Sequence, residues 1–122
     1  MVLKADLHCH IEAAARPDVV RAHAARHAVD VSRLFTDDNR FAWHDFASFL
    51  TAYDLAASCF RTPEDFADLA EDYFVEAARE GLIYGEIFAS IDHAAAVGLS
   101  ARGYLEGLTT GIARAKARTG VQ

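Results

Sequence analysis

The stretch Lys4-Ala5-Asp6-Leu7-His8-Cys9-His10-Ile11-Glu12 is typical of a short buried strand with a polar side. Successive side chains of a strand point to opposite faces. The polar residues of the stretch are therefore predicted to share one face: Asp6, His8, His10 and Glu12. Two imidazoles at this spacing can bind one metal ion, and a buried polar stripe is unfavourable unless its members are paired or metal-bound. The pattern indicates a candidate site at residues 4–12.

Two interpretations of the histidine pair are open from the residues alone. Either His8 and His10 hold a metal ion, or they line a solvated strand face and hydrogen-bond to backbone. Glu12 follows at the expected carboxyl end of the strand, where parallel α/β sheets and barrels build their sites, and this favours a site. Cys9 should point to the opposite face, and we interpret it as a packing residue.

The composition restricts the classes of protein and partner. The chain has 122 residues, of which 52% are hydrophobic and 25% charged, and this predicts one globular domain with a core. The net charge of −6 argues against a nucleic-acid or membrane-surface partner. The sequence contains no apolar run long enough to span a bilayer and no visible signal peptide. Two cysteines, Cys9 and Cys59, favour a reducing, cytoplasmic location.

The first helix is predicted from Pro17 to about Ala28, because proline suits the first turn of a helix. His23 and His27 are four residues apart and share a face of this helix. Since no carboxylate is in register with them, they are predicted to lie on a solvated face rather than to bind a metal.

A second helix is predicted after Asp45, which suits the N-cap position. Apolar and aromatic residues follow at helical spacing: Phe46, Phe49, Leu50, Tyr53 and Ala57. Periodicity alone favours plain core packing for this stripe. The alternative is an aromatic flap over a pocket for a flat ligand.

The second half of the chain predicts helix, strand and helix. One helix begins at Thr62 and ends at Gly81, and the last begins at Ser100 and ends at Gly120. The apolar face of the last helix includes Tyr104.

Residues 82–89 between these helices are mostly apolar and predict a strand buried on both sides, with a hydrogen-bonding or ionic partner for Glu86. Three polar residues come after this strand on the side where sites form: Ser90, Asp92 and His93.

The order of elements predicts the α/β class, with two parallel strands and intervening helices. A complete (β/α)₈ barrel of the TIM type needs roughly 250 residues. Residues 1–122 are therefore expected to be one partial domain, the N-terminal third of such a barrel, ending where a third strand should begin.

Several segments together carry a family resemblance. Residues 4–12 resemble the first-strand motif of the adenosine deaminase family, within the metal-dependent amidohydrolases, and the bacterial members most of all. The resemblance continues in one register through the lid helix, the start of the next helix, the second strand and the segment after that strand: residues 46–54, 61–65 and 81–88, then His93 with residues 98–100.

The resemblance implies a zinc enzyme that, at full length, hydrolyses adenosine to inosine and ammonia, with a helical lid insertion at about residues 17–60. It assigns His8 and His10 as metal ligands for Zn²⁺, which activates water for attack on C6 of the purine. It assigns substrate binding to His10, to Glu12 as acceptor of a ribose hydroxyl, and to Phe49 and Tyr53 as aromatics closing over the purine.

The chain departs from the family pattern at three places. Ala13 stands where the family usually has glycine, so the loop geometry and substrate fit differ. Ile91 stands where the family tends to have proline. The remaining metal ligands and the catalytic glutamate are expected beyond Gln122, so no catalytic residue is assigned within this chain.

Three functions are compatible with the sequence. The first is adenosine deamination, with a purine nucleoside as the substrate partner. The second is deamination of adenine or another aminopurine, with which Glu12 is equally compatible. The third belongs to another class: a non-catalytic half-barrel that self-associates through its exposed sheet edges.

Overall fold

The computed structural model describes residues 1–122 as two parallel strands, a 3-10 helix and five α-helices. The predicted α/β class, with two parallel strands and intervening helices, is confirmed. No helix is both long and apolar enough to cross a membrane. The elements in chain order are β1 (Lys4–His10), the 3-10 helix (Ile11–Ala14), α1 (Pro17–Arg26), α2 (Phe46–Ala57), α3 (Pro63–Arg79), β2 (Leu82–Phe88), α4 (Ile91–Ala96) and α5 (Ala101–Thr119).

Local capping explains where the long helices begin. The Asp45 side chain accepts a hydrogen bond from the backbone N–H of Ser48 at the start of α2, and Thr62 does the same for Asp65 at the start of α3. Ser100 caps α5 in the same way. These side chains satisfy backbone donors that have no partner within the helix, and all three predicted starts are confirmed.

Two helical boundaries differ from the prediction. α1 ends at Arg26 rather than near Ala28, because Ala28 adopts a positive φ of 54°. The short helix α4 was not predicted from the sequence pattern. Its six residues bury only Ala94, so they present no apolar periodicity.

A bulge interrupts β1 between Asp6 and Cys9, in the segment that contains His8. Asp6 pairs with Gly85 and Cys9 pairs with Ile87, so three steps along β1 match two steps along β2. The extra residue changes the alternation, and Asp6 accepts a hydrogen bond of 2.8 Å from the Tyr73 hydroxyl of α3. The expectation that Asp6 shares a face with His8 and His10 is therefore wrong.

The main core cluster is formed by side chains of the 3-10 helix, the α-helices and the loops between them, and the packing of α5 on α3 is very close. A Cβ added at Gly107 would lie 2.2 Å from the carbonyl oxygen of Pro63, and one at Gly111 would lie 2.2 Å from that of Ala67. Only glycine permits this approach of the two backbones. The largest fully buried side chains include Tyr104, Phe60, Phe66, Ile11, Leu34 and Leu69.

Helices cover one face of the sheet, and the other face is open. Gly85 of β2 lies against Phe74 of α3, whereas Tyr84, Glu86 and Phe88 are exposed. The predicted burial of Glu86 is wrong, because no second layer covers this face. Its predicted hydrogen-bond partner exists: the Tyr84 hydroxyl donates to Glu86 over 2.8 Å.

The backbone of Gln122 lies beside the first half of β2. Its N–H donates to the carbonyl of Ile83 over 3.1 Å, and its carbonyl accepts from the N–H of Gly85 over 2.9 Å. β1 has a neighbouring strand on one side only.

Candidate active site

The histidine pair lies on the open face at the carboxyl end of β1. The ring centroids of His8 and His10 are 5.3 Å apart. Both rings stack against Phe88 at the end of β2, at centroid distances of 4.2 Å for His8 and 5.4 Å for His10. Both histidines are exposed, so a ligand can reach them from the open face. The structure thus places the two residues together as predicted.

The geometry of the pair fits two ligands of one metal ion. Imidazoles bound to one tetrahedral zinc at a Zn–N distance of about 2.0–2.1 Å have ring centroids roughly 5 Å apart, and the observed separation is 5.3 Å. The chain contains no group of three or more His, Cys, Asp or Glu side chains that could hold a metal. Catalytic zinc sites have three protein ligands, so two histidines alone do not complete such a site.

Glu12 lies in the 3-10 helix rather than on the strand, and its side chain is buried with 1% exposure. The strand ends at His10, so the expectation that Glu12 continues the polar strand face is wrong. The hydroxyl of Tyr104 donates a hydrogen bond to one carboxylate oxygen, and the hydroxyl of Tyr53 lies 3.4 Å from the other. The Tyr104 hydroxyl also accepts from the N–H of Ser90 over 2.8 Å.

Burial and the neighbouring Glu12 carboxylate hold the pKa of Tyr53 and that of Tyr104 well above the ordinary tyrosine value. Both phenols therefore keep their protons and remain hydrogen-bond donors. Sequence periodicity places Tyr104 on the apolar face of α5 and does not identify it as a partner of Glu12. The two residues are 92 positions apart, and no local signal connects them.

The aromatic stripe of α2 forms one wall of a small open cleft. Phe49 lies between Trp43 and Tyr53, with ring centroids 5.4 Å and 6.2 Å away. Phe46 is 73% exposed and is not part of this wall. The cleft is lined by Glu12, Ala13, Phe41, Trp43, Phe49, Ala52, Tyr53 and Ala56.

Tyr53 also lines a second, adjoining depression at the mouth of the sheet, together with His10, Phe88 and His93. The structure therefore brings the predicted substrate-binding residues into two neighbouring hollows that share Tyr53. Glu12 and Phe49 lie in the first hollow and His10 lies in the second.

The histidines of α1 belong to a separate buried cluster, and their predicted position on a solvated face is wrong. His23 is 4% exposed. Its Nδ1 lies 3.0 Å from the Asp65 carboxylate, and Nε2 of His27 lies 2.6 Å from the other oxygen of that carboxylate. Arg26 donates to Asp65 over 2.6 Å. The partner was missed because Asp65 is 42 positions from His23, at the start of α3.

Asp65 is completely buried and ionised. Burial alone would raise its pKa, but hydrogen bonds from the Arg61 backbone, His27, Arg26 and Thr62 together hold the pKa far below its ordinary value. The cluster ties α1 to the first turn of α3 and takes no part in the open face.

Parallel strands with helical crossovers and paired histidines at a strand end define an N-terminal part of an amidohydrolase-type barrel. A sequence profile described as Adenosine deaminase matches residues 3–122, and the chain belongs to this family.

The similar curated proteins are longer than this chain. It is 49% identical over 122 residues to an adenine deaminase of Mesorhizobium japonicum and 52% identical over 122 residues to one of a Chelativorans species. Each match covers 100% of this chain and 37% of the relative.

Solved structures agree with the fold. The adenine deaminase of Arthrobacter aurescens matches with a TM-score of 0.80 and 25% identity, over 97% of this chain and 37% of that protein. An amidohydrolase from Burkholderia ambifaria with bound zinc matches with a TM-score of 0.74 and 20% identity, over 98% of this chain and 34% of that protein. The predicted correspondence to the N-terminal third of a (β/α)₈ barrel is confirmed.

Proposed function

We propose that this chain forms the first part of a zinc-dependent deaminase that acts on free adenine. Adenine or aminopurine deamination is the alternative that the sequence leaves open beside adenosine. The two curated relatives at 49% and 52% identity are both named adenine deaminase, and this supports the free base as substrate. A cytoplasmic location stays a prediction, and both cysteines are free thiols.

The observation that carries the choice of base over nucleoside is the position of Glu12. Its carboxylate is 1% exposed and is hydrogen-bonded by Tyr104, with the Tyr53 hydroxyl 3.4 Å away. A carboxylate that is only 1% exposed offers little access to a ribose hydroxyl. Glu12 therefore acts as a wall of the aromatic cleft, and its role as ribose acceptor would apply only to adenosine.

His8 and His10 would hold the zinc ion, with the other ligands supplied by later barrel strands. Bound zinc would activate water for attack on the ring carbon that carries the amino group. Phe88 stacks on both imidazoles and so restricts their orientation. Phe49 and Tyr53 would contact the flat face of the purine, because aromatic rings in an open cleft stack readily on a planar base.

The test is a chimera in which these 122 residues replace the matching segment of the Mesorhizobium japonicum relative. Deamination of adenine and of adenosine is followed by the change in ultraviolet absorbance, and bound zinc is measured by elemental analysis. We expect kcat/KM to be at least about 100-fold higher for adenine, which corresponds to about 2.7 kcal/mol. Equal rates, or a preference for adenosine, would contradict the proposal.

The zinc ligands are tested in the same chimera. His8→Ala and His10→Ala should each lower zinc content and activity together. The matched control is His44→Ala, since the His44 side chain is 83% exposed and its ionic neighbour is Asp45. Loss of zinc in the control as well would show that the readout reports folding rather than ligation.

A second candidate is self-association, which is favoured by the apolar side chains exposed around the sheet. Leu7, Ile83 and Phe88 are 59%, 50% and 45% exposed, and β1 has a neighbouring strand on one side only. Sedimentation velocity of the 122-residue chain tests this. A monomer over the whole micromolar range would exclude it.

A further inference from the structure

His93 connects the end of β2 to the lid helix α2. It lies in α4, which follows β2 directly, and its Nε2 is 3.0 Å from Oδ1 of Asp54 in α2. The His93 ring also meets the Tyr53 ring edge-on, with centroids 4.9 Å apart. The other ring nitrogen, Nδ1, is buried without a hydrogen-bond partner. The hydrogen bond to Asp54 and the edge-on contact with Tyr53 therefore restrict the orientation of the ring.

The two halves of α2 are held differently. Ala56 and Ala57 near its end are buried in the core, whereas Phe46 and Leu50 in its first half are 73% and 42% exposed. Only two side-chain hydrogen bonds join α2 to other helices or strands. One is the 3.0 Å bond between His93 and Asp54, and the other is the 3.4 Å contact between Tyr53 and Glu12. The shorter of the two involves His93.

We propose that His93 is a positioning residue that holds the second half of α2 against the carboxyl end of β2 and so fixes Tyr53 between the two hollows. Tyr53 lines both the aromatic cleft and the depression that contains His10, and a shift of α2 would change both at once. The consequence for a bound purine rests on the proposed function. The contact between α4 and α2 is a property of this chain without substrate or metal.

The test is hydrogen–deuterium exchange, read by mass spectrometry on peptides that cover residues 49–55, in the 122-residue chain. In His93→Leu, which removes the hydrogen bond, we expect the α2 amides to exchange about tenfold faster, the factor that about 1.4 kcal/mol produces. Peptides from α5 should exchange at the wild-type rate. His93→Gln keeps an amide donor near the position of Nε2 and should restore exchange to within about twofold of the wild-type rate, since that donor can still bond Asp54.

Asp54→Ala tests the same contact from the other side. The Asp54 side chain is 71% exposed, so its removal leaves no cavity. It should accelerate exchange in α2 as His93→Leu does, and the double variant should add no more than about twofold to the larger single effect, because both changes break one bond. His44→Leu is the matched control, since this histidine has a carboxylate neighbour but no contact with α4.

Three results would overturn the proposal. One is unchanged exchange of α2 in His93→Leu, and another is equal acceleration in α5, which would indicate general destabilisation. The third is a His93→Gln variant that exchanges as fast as His93→Leu. If His93→Leu does not fold, Asp54→Ala and His93→Gln still decide. No zinc or purine enters this experiment, so its result is independent of the chimera assay.

Discussion

The two sides of the sheet hold their polar side chains in opposite ways. On the helical side, Asp65 is completely buried and accepts hydrogen bonds from two histidines, an arginine and two backbone N–H groups. On the open side, His8 and His10 are exposed and contact each other and one phenylalanine. This contrast predicts that the helical side contributes more to stability than the exposed histidine pair does.

The largest effect is expected from Asp65→Ala. Removing this carboxylate leaves a buried His23 and an Arg26 without their shared acceptor, and breaking a buried pair in this way costs about 3–5 kcal/mol. Urea denaturation of the chain measures the change in the free energy of unfolding. Asp37→Ala, at an exposed position, is the control. A loss no larger than that of the control would contradict the contrast between the two sides.

The contribution of Asp65 should also depend on pH in a defined direction. Its pKa is lowered in the folded state, so the carboxylate stabilises the fold fully above its unfolded pKa of about 3.9. The contribution is lost as the pH falls below that value towards the lowered folded pKa. The stability difference between wild type and Asp65→Ala should therefore shrink from about pH 5 downwards. A difference that stays constant to low pH would show that the charge is not involved.

The next effect in size is expected from Gly111→Ala on the helical side. The new Cβ would lie 2.2 Å from the Ala67 carbonyl oxygen and 2.9 Å from the Ala70 Cβ, so α3 and α5 must move apart. Overpacking of this kind costs about 2–3 kcal/mol. Gly103→Ala is the matched control on the same helix. Its nearest contacts are side-chain atoms at 3.1 Å and beyond, and thermal denaturation should show a change below about 1 kcal/mol.

An intermediate effect is expected from Tyr104→Phe, at the buried hydroxyl that bonds Glu12. The change removes the donor to the buried Glu12 carboxylate and the acceptor for Ser90 N–H, at a cost of about 1–2 kcal/mol. Tyr84→Phe is the control, because it removes a phenol bonded to an exposed carboxylate on the open face. If both substitutions shift the urea midpoint equally, the burial of Glu12 does not determine the loss of stability caused by removing the Tyr104 hydroxyl.

The smallest effect is expected from His8→Ala and His10→Ala in metal-free buffer. Both side chains are exposed, so the free energy of unfolding should change by less than about 0.5 kcal/mol. His23→Ala, at the buried histidine that bonds Asp65, should be clearly more destabilising. A large loss of unfolding free energy on substitution of either exposed histidine would show that the open face also stabilises the fold. That result would contradict the contrast between the two sides.

Features that depend on neighbouring residues were predictable from the sequence. Asp45, Thr62 and Ser100 cap helices a few residues away, and the spacing of His8 and His10 is a property of one strand. The aromatic stripe of α2 had two interpretations, and the structure makes Phe49 and Tyr53 the wall of a cleft rather than core. Periodicity cannot separate the two, because both need the same spacing.

Features that depend on distant residues were not predictable. His23 finds its carboxylate 42 positions away, and Glu12 finds Tyr104 92 positions away. The bulge that turns Asp6 towards Tyr73 was also not predicted from the sequence, because an irregular register depends on how both strands pair.

The bulge between Asp6 and Cys9 changes which face of the first strand its residues occupy. Asp6 and Cys9 both associate with Tyr73 although an odd number of steps separates them, while His8 and His10 turn away from α3. Without this change of parity, anchoring Asp6 to the helix would force both imidazoles towards the helix as well. Asp6 can therefore anchor the strand to α3 while His8 and His10 face the open side. An insertion or deletion between Asp6 and His10 would change which residues face α3. We therefore expect this strand to tolerate such a change less well than a substitution.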